Sequence, residues 1–329
     1  MNLHISHLQA GEETALVRIH NSAFSEWATQ LPACYRYQPL RVEQVRDWLQ
    51  QPLQTIWAIR LSGDVIGYAA CRQTTLSNVD KTAILHFSVT HEDWGQSRIA
   101  VVPEFQEQGI ATKLLQTILA DFADKGGQLV TAYGYSFNPA ATRLFSKLGF
   151  VNRERFTFAP YSDREPFTYD SIFAQLDLTE PLPNLPLNHE LTVRTVQDGD
   201  MGAIQRIFRE SASFAYEGEP SEQQLVEWLS NENADIRLVA EVNGDVVGLM
   251  ECYRDGVIGI PGILPPYRKR GVGTTLFEHL LRAMQRAKYP LAVGDTGLIQ
   301  HEMMRLYERF GFDCSRRLLN WVRDCEQSD

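Results

Sequence analysis

Hydrophobic residues along this chain switch between two spacings, and the switches come in the same order in its two halves. In the second half, LTVRT (191–195) alternates as a short strand. DMGAIQRIFRESASF (200–214) then sets Ile204, Ile207 and Phe208 on one face at helical spacing. SEQQLVEWLS (221–230) predicts a second helix, opened by a serine at the N-cap. DIRLVAEV and DVVGLMECY flank Asn243-Gly244 and predict a hairpin, because that dipeptide tolerates the positive φ angles of a type I′ turn. A strand through 257–264 leads to a glycine turn and a helix ending near Ala287. PLAVGD, HEMMRLYERF and CSRRLLNWVR close the half as strand, helix and strand. The first half follows suit, with TIWAIRL, VIGYAAC, LVTAYGY and TYDSIFAQL as strands and Ser62–Asp64 at the hairpin.

The parallel extends to the residues themselves. VVPEFQEQGIATKLL (101–115) is echoed by ILPPYRKRGVGTTLF (263–277), and RLFSKLGF (143–150) by RLYERFGF (305–312), both 162 positions on. DVIG (64–67) answers DVVG (245–248) at an offset of 181. The 19-residue difference assigns an insertion to the first copy, near 74–94, where AILHFSV reads as a further strand. Equal offsets over separate motifs identify a duplicated domain. TEPLPNLPLNHE, with Pro181, Pro183 and Pro186, reads as an extended connector. The expected division is therefore 1–178, a linker at 179–190, and 191–329.

Composition narrows the function. At 329 residues the chain is long enough for two cores, and 44% hydrophobic with 22% charged residues is ordinary for a globular protein. The net charge of −10 argues against a broad cationic nucleic-acid surface. No apolar run approaches the ~20 residues that span a bilayer, and MNLHISHLQAGEE has no basic segment followed by an apolar one. Five scattered cysteines without C-x-x-C point to reduced thiols, and no histidine cluster has metal-ligand spacing. The expectation is a cytoplasmic protein with neither nucleic-acid nor membrane partners and no metal.

In both halves a strand runs into Gln/Arg-x-x-Gly-x-Gly/Ala and on into a helix. A helix N-terminus offers unpaired N–H groups to an anion, and Gly109, Gly271 and Gly273 let the backbone approach it. Arg268, Lys269 and Arg270 add positive charge to the second turn, whereas Gln106-Glu107-Gln108 adds none to the first. Electrostatics of the turn alone favours the second half for a polyanionic ligand. A dinucleotide oxidoreductase would instead require Gly-x-Gly-x-x-Gly after the first strand, which neither half carries.

The pattern [VI]-x-P-x-[FY]-[QR]-x-x-G-x-[GA], complete in both halves and followed by a strand and a helix ending in Gly-Phe, resembles the GCN5-related N-acetyltransferase (GNAT) superfamily, twice over. The resemblance implies a mixed α/β fold: two tandem domains, each a mostly antiparallel sheet flanked by helices, with a parallel strand pair splayed at an acyl-CoA site. It implies acetyl-CoA as cofactor and a small-molecule or peptide amine as acceptor. Val101, Val102, Ile263 and Leu264 would pair with the pantetheine arm. Gln106, Gly109 and Ala111 in one half, and Arg268, Lys269, Arg270, Gly271, Val272, Gly273 and Thr274 in the other, would cradle the diphosphate. Asn138 and Gln300 match the family's cofactor-contacting amide. The family's proton donor, a tyrosine four residues before the glycine of Gly-Phe, corresponds to Tyr307, but to Phe145 in the first half. The expectation is thus a degenerate first half and a catalytic second half. Glu251 is its candidate amine base, and Glu217 and Glu219 are candidate acceptor-site acids. The alternative is a non-catalytic acyl-CoA-binding sensor.

Overall fold

The computed structural model describes residues 2–25, 39–76, 82–87, 98–157, 167–211, 222–259, 261–297 and 300–325. The first half opens with β1 (Leu3–His7), α1 (Glu13–Phe24) and α2 (Val42–Gln50). The hairpin of β2 (Gln54–Leu61) and β3 (Asp64–Leu76) turns at Ser62 and Gly63, at φ 53° and 98°. β4 (Thr82–His86) and β5 (Ile99–Val101) both pair antiparallel with β3, and Arg98 N–H bonds to the Phe87 carbonyl (3.4 Å), so they form one interrupted strand. α3 (Ile110–Asp124), β6 (Leu129–Tyr135), α4 (Pro139–Lys147), β7 (Val151–Asn152), β8 (Arg155–Thr157), β9 (Phe167–Tyr169) and β10 (Ser171–Asp177) complete the half.

The second half repeats the plan with β11 (Thr192–Thr195), α5 (Met201–Glu210) and α6 (Glu222–Ser230). The hairpin of β12 (Ala234–Val242) and β13 (Asp245–Tyr253) turns at Asn243 and Gly244, at φ 53° and 88°. β14 (Gly262–Ile263), α7 (Val272–Arg286), β15 (Leu291–Gly297), α8 (His301–Phe310) and β16 (Asp313–Asp324) follow. Among the described residues the strand expected over 257–264 divides: Val257 and Ile258 make isolated bridges, and Gly262 and Ile263 pair with β13.

The insertion also divides. His86 pairs with Thr131 as Val257 pairs with Val293, so part of the extra length lies in the longer β3–β4 hairpin and the rest between Phe87 and Arg98.

Each half builds its sheet on a mostly antiparallel ladder with one parallel step, β4 beside β6 and Val257 beside Val293. The closing strands then change places. β16, from the end of the second half, lies between β6 and β7 of the first, pairing Trp321 with Ala132 and with Asn152. β10, from the end of the first half, pairs along β15 of the second, Gln175 opposite Val293. β10 and β16 also pair with each other, which fuses the halves through one ten-stranded sheet. Packing follows the exchange: Trp321 belongs to the first core, while Ile172, Ala174 and Leu178 belong to the second. At the crossing, buried Asp170 accepts the Asn320 N–H (2.6 Å) and the Asn152 side-chain amide (3.1 Å). Those bonds satisfy a carboxyl whose pKa burial pushes upward.

Candidate functional site

The two glycine turns are the same object built twice. Each strand passes through a 3-10 turn, Pro103–Phe105 or Pro265–Tyr267, before its helix. Glu107 and Gly109 take φ 59° and 77°; Lys269 and Gly271 take 59° and 79°. Left-handed residues alternating with Gln108 and Arg270 are the geometry in which backbone N–H groups form an anion-binding concavity, and the glycine N-caps supply no side chain to the first N–H groups of α3 and α7. Gln106 Nε2 donates to the Val101 carbonyl (3.0 Å), and Arg268 Nε donates to the Ile263 carbonyl (3.1 Å). The first residue of each motif therefore ties the turn back to its strand. At Gly273 an added Cβ would stand 2.9 Å from Ile263 Cδ1.

In the first half, β4 and β6 pair as far as His86–Thr131, and β5 then diverges. Ala70 N bonds Arg98 O, and Val102 N bonds Ile66 O. Antiparallel alternation consequently turns the backbone groups of Ile99 and Val101 away from β3, toward the gap. The gap opens into a cavity of about 970 Å³ that also reaches Gln106, Gly109, Ala111 and Asn138. Tyr133 and Tyr135 line it from β6, and Arg143 and Lys147 from α4. These two cations offset Glu107, which approaches Arg143 at 3.8 Å in the open. Both were missed in sequence because charge was weighed within the turn and not on the facing helix. Asn138 caps α4, its Oδ1 accepting the Ala141 N–H (3.0 Å), and Val102 is buried behind the turn. A strand edge, an anion-ready turn and a cleft of this size fit an extended phosphate-bearing thioester such as acetyl-CoA.

Ala23 and Phe24 of α1 form another wall of the cavity. One turn back, buried His20 accepts from Arg98 Nη1 at Nε2 (3.0 Å). An arginine can only donate, so Nδ1 carries the proton and donates to Tyr68 Oη. Burial, then the Arg98 charge, lowers the His20 pKa to about 2 and keeps the ring neutral.

In the second half, Arg268, Lys269 and Arg270 are exposed, and Ile263, Leu264 and Val272 line the interior side of the turn. The linker docks here: Asn188 N donates to Thr275 Oγ1 (2.9 Å) and its Nδ2 to the Arg270 carbonyl (3.0 Å). Thr274 Oγ1 accepts from Arg309 (2.9 Å), and Gln300 stands at the N-cap of α8 without a side-chain cap bond. Tyr307 is buried, its phenol directed at Gly294, where an added Cβ would come within 2.1 Å of Oη. Burial and the neighbouring Asp295 raise its pKa. Asp295, which sequence reasoning did not single out, has its own pKa raised to about 7 by burial.

Glu251 is buried on β13 and held by three donors: Arg237 Nε (3.2 Å), Trp228 Nε1 (3.1 Å) and Tyr253 Oη (2.9 Å). Glu217 and Glu219 lie outside the described residues.

A family model for the acetyltransferase (GNAT) family matches residues 16–150 and 201–312. Phosphinothricin N-acetyltransferase of Streptomyces viridochromogenes is 28% identical over 142 residues, covering 39% of this chain and 76% of that enzyme. A GCN5-related N-acetyltransferase from Sphaerobacter thermophilus superposes over 98% of this chain and 96% of its own, with TM-score 0.57 at 18% identity. A tandem GNAT protein from the clavulanic acid biosynthesis pathway superposes over the whole of both chains, with TM-score 0.56 at 16% identity. With its cradle, splay and helix order present in both halves and the family model matched in both, this chain belongs to the acetyltransferase (GNAT) family.

Proposed function

We propose that the protein transfers an acetyl group from acetyl-CoA to a primary amine of a small molecule or peptide, and that the first-half cleft takes the coenzyme. The cavity of about 970 Å³ between the parted strands and the first glycine turn carries this reading. Ile99 and Val101 would receive the pantetheine arm through their backbone groups. The turn from Gln106 to Thr112 would hold the diphosphate, with Arg143 and Lys147 facing it. The coenzyme supplies an acyl group activated as a thioester; the protein supplies position, exclusion of water and a place for protons. Similarity to phosphinothricin N-acetyltransferase supports a small amine as acceptor class. Glu251, tied to Arg237, reads best as part of the second core's frame.

A second reading places the transfer in the second half, with Tyr307 as general acid, and Glu217 and Glu219 drawing a cationic amine. It is favoured by the proximity of the Tyr307 phenol to Gly294 and Asp295 across β15. Thiol release from acetyl-CoA with a panel of primary amines tests the activity. Under the second reading, Tyr307→Phe lowers turnover ~10²–10⁴-fold with unchanged cofactor affinity; under the first, turnover survives. Binding with no turnover on any amine would leave an acyl-CoA sensor.

A further inference from the structure

If the first-half cleft holds the coenzyme, it needs a proton donor for the departing sulfur, and Phe145 has none. We propose that Tyr133 of β6 fills that role. The inference rests on the reading of this cleft as the acyl-CoA site.

Tyr133 lines the cavity two residues beyond His86–Thr131, the last pair of the parallel ladder, so it stands where β5 and β6 part. Ile99 lines the same cavity from the other strand. Side chains alternate along a strand, so Tyr133 and Tyr135 share one face while Gly134 turns to Phe145 on the other. Tyr135 is one pleat farther from the parting point, and its ring is stacked on Phe137 with centroids 4.9 Å apart and planes at 8°. Both tyrosines pack against the Phe173–Leu318 cluster of the exchanged strands, Tyr135 with its ring centroid 6.1 Å from that of Phe173.

The halves are complementary at these positions. At the 162-residue offset Tyr133 corresponds to Asp295, and Phe145 to Tyr307. The first half thus carries its phenol on the strand, and the second carries it on the helix.

The proton balance closes without a further reactant. A neutral amine nitrogen bonds to the acyl carbon, and the electrons of the breaking C–S bond pass to sulfur. Tyr133 Oη gives its proton to that sulfur, then regains one from the newly acylated nitrogen. The products are an amide and a free thiol.

The test compares wild-type protein with Tyr133→Phe and Tyr135→Phe, using calorimetry with coenzyme A and with desulfo-coenzyme A. Tyr133→Phe should weaken binding of coenzyme A about fivefold, the worth of one hydrogen bond, and leave desulfo-coenzyme A unchanged. Tyr135→Phe should not alter the ratio of the two affinities. With a mixed panel of primary amines, Tyr133→Phe should also slow thiol release from acetyl-CoA by about 10². Equal losses for both ligands, undiminished thiol release, or binding by the wild-type protein without any thiol release would overturn the role of Tyr133. Failure of the wild-type protein to bind either ligand would overturn the first-half reading itself.

Discussion

Glu251 shows how a residue's chemistry depends on what surrounds it. A carboxylate on a hairpin strand next to a presumed acceptor site suits a base, but its side chain is 6% exposed and faces an Arg237 side chain that is 13% exposed. Removing one partner of such a pair leaves the other buried and uncompensated. Glu251→Ala is expected to cost about 3–5 kcal/mol in urea unfolding; a loss below about 1 kcal/mol would place the pair in water. His20 carries a pH signature of opposite origin. Its folded pKa is depressed to about 2 from 6.5, so below about pH 6.5 protons bind the unfolded chain and not the native one. Stability should therefore fall as the pH drops from 6.5, by up to about 1.4 kcal/mol per unit from this group. His20→Gln should flatten that part of the stability–pH curve; an unchanged slope would show that the ring is not held neutral. The glycines at 109 and 271 were legible because only a sharp, repeated turn requires them. Tyr133 and Asp295 were not, since a strand's pattern does not say which face meets the gap.

At the scale of elements, the order of helices and strands followed from periodicity, and hairpins fell at Ser62-Gly63 and Asn243-Gly244 as their positive φ angles demand. The destination of β10 and β16 did not follow. Their apolar alternation serves equally well beside β6 or β15, so sequence pattern cannot tell a strand that stays from one that crosses. The crossing has a direct consequence. Residues 1–178 expressed alone lack the strand between β6 and β7, together with Trp321 from their core. Residues 191–329 alone lack β10 and its buried Ile172 and Ala174. Neither fragment should show cooperative thermal unfolding by itself, whereas the two mixed or co-expressed should. A cooperative transition from 1–178 alone would mean that the sheet closes without the exchanged strand.

Across the whole molecule, duplication has produced two versions of one cradle that differ in what surrounds them. The second turn has the denser positive charge, which alone would select it for a diphosphate. The first has a cleft of about 970 Å³ at its parted strands; its α4 cations, Arg143 and Lys147, and its strand edge at Val101 have counterparts in Arg305, Arg309 and Ile263 of the second half. The proposed assignment of the coenzyme to the first half therefore rests on the cleft and not on charge, since Arg143 and Lys147 are exposed just as Arg268, Lys269 and Arg270 are. Ala111 and Gly273 occupy the same place in the two turns, one residue inside helices that welcome an acid at that end. An aspartate there keeps the helix and opposes a bound diphosphate. Calorimetric titration with acetyl-CoA should give one site per chain, lost in Ala111→Asp and kept in Gly273→Asp. Binding that survives Ala111→Asp and disappears in Gly273→Asp would contradict the assignment of the coenzyme to the first half.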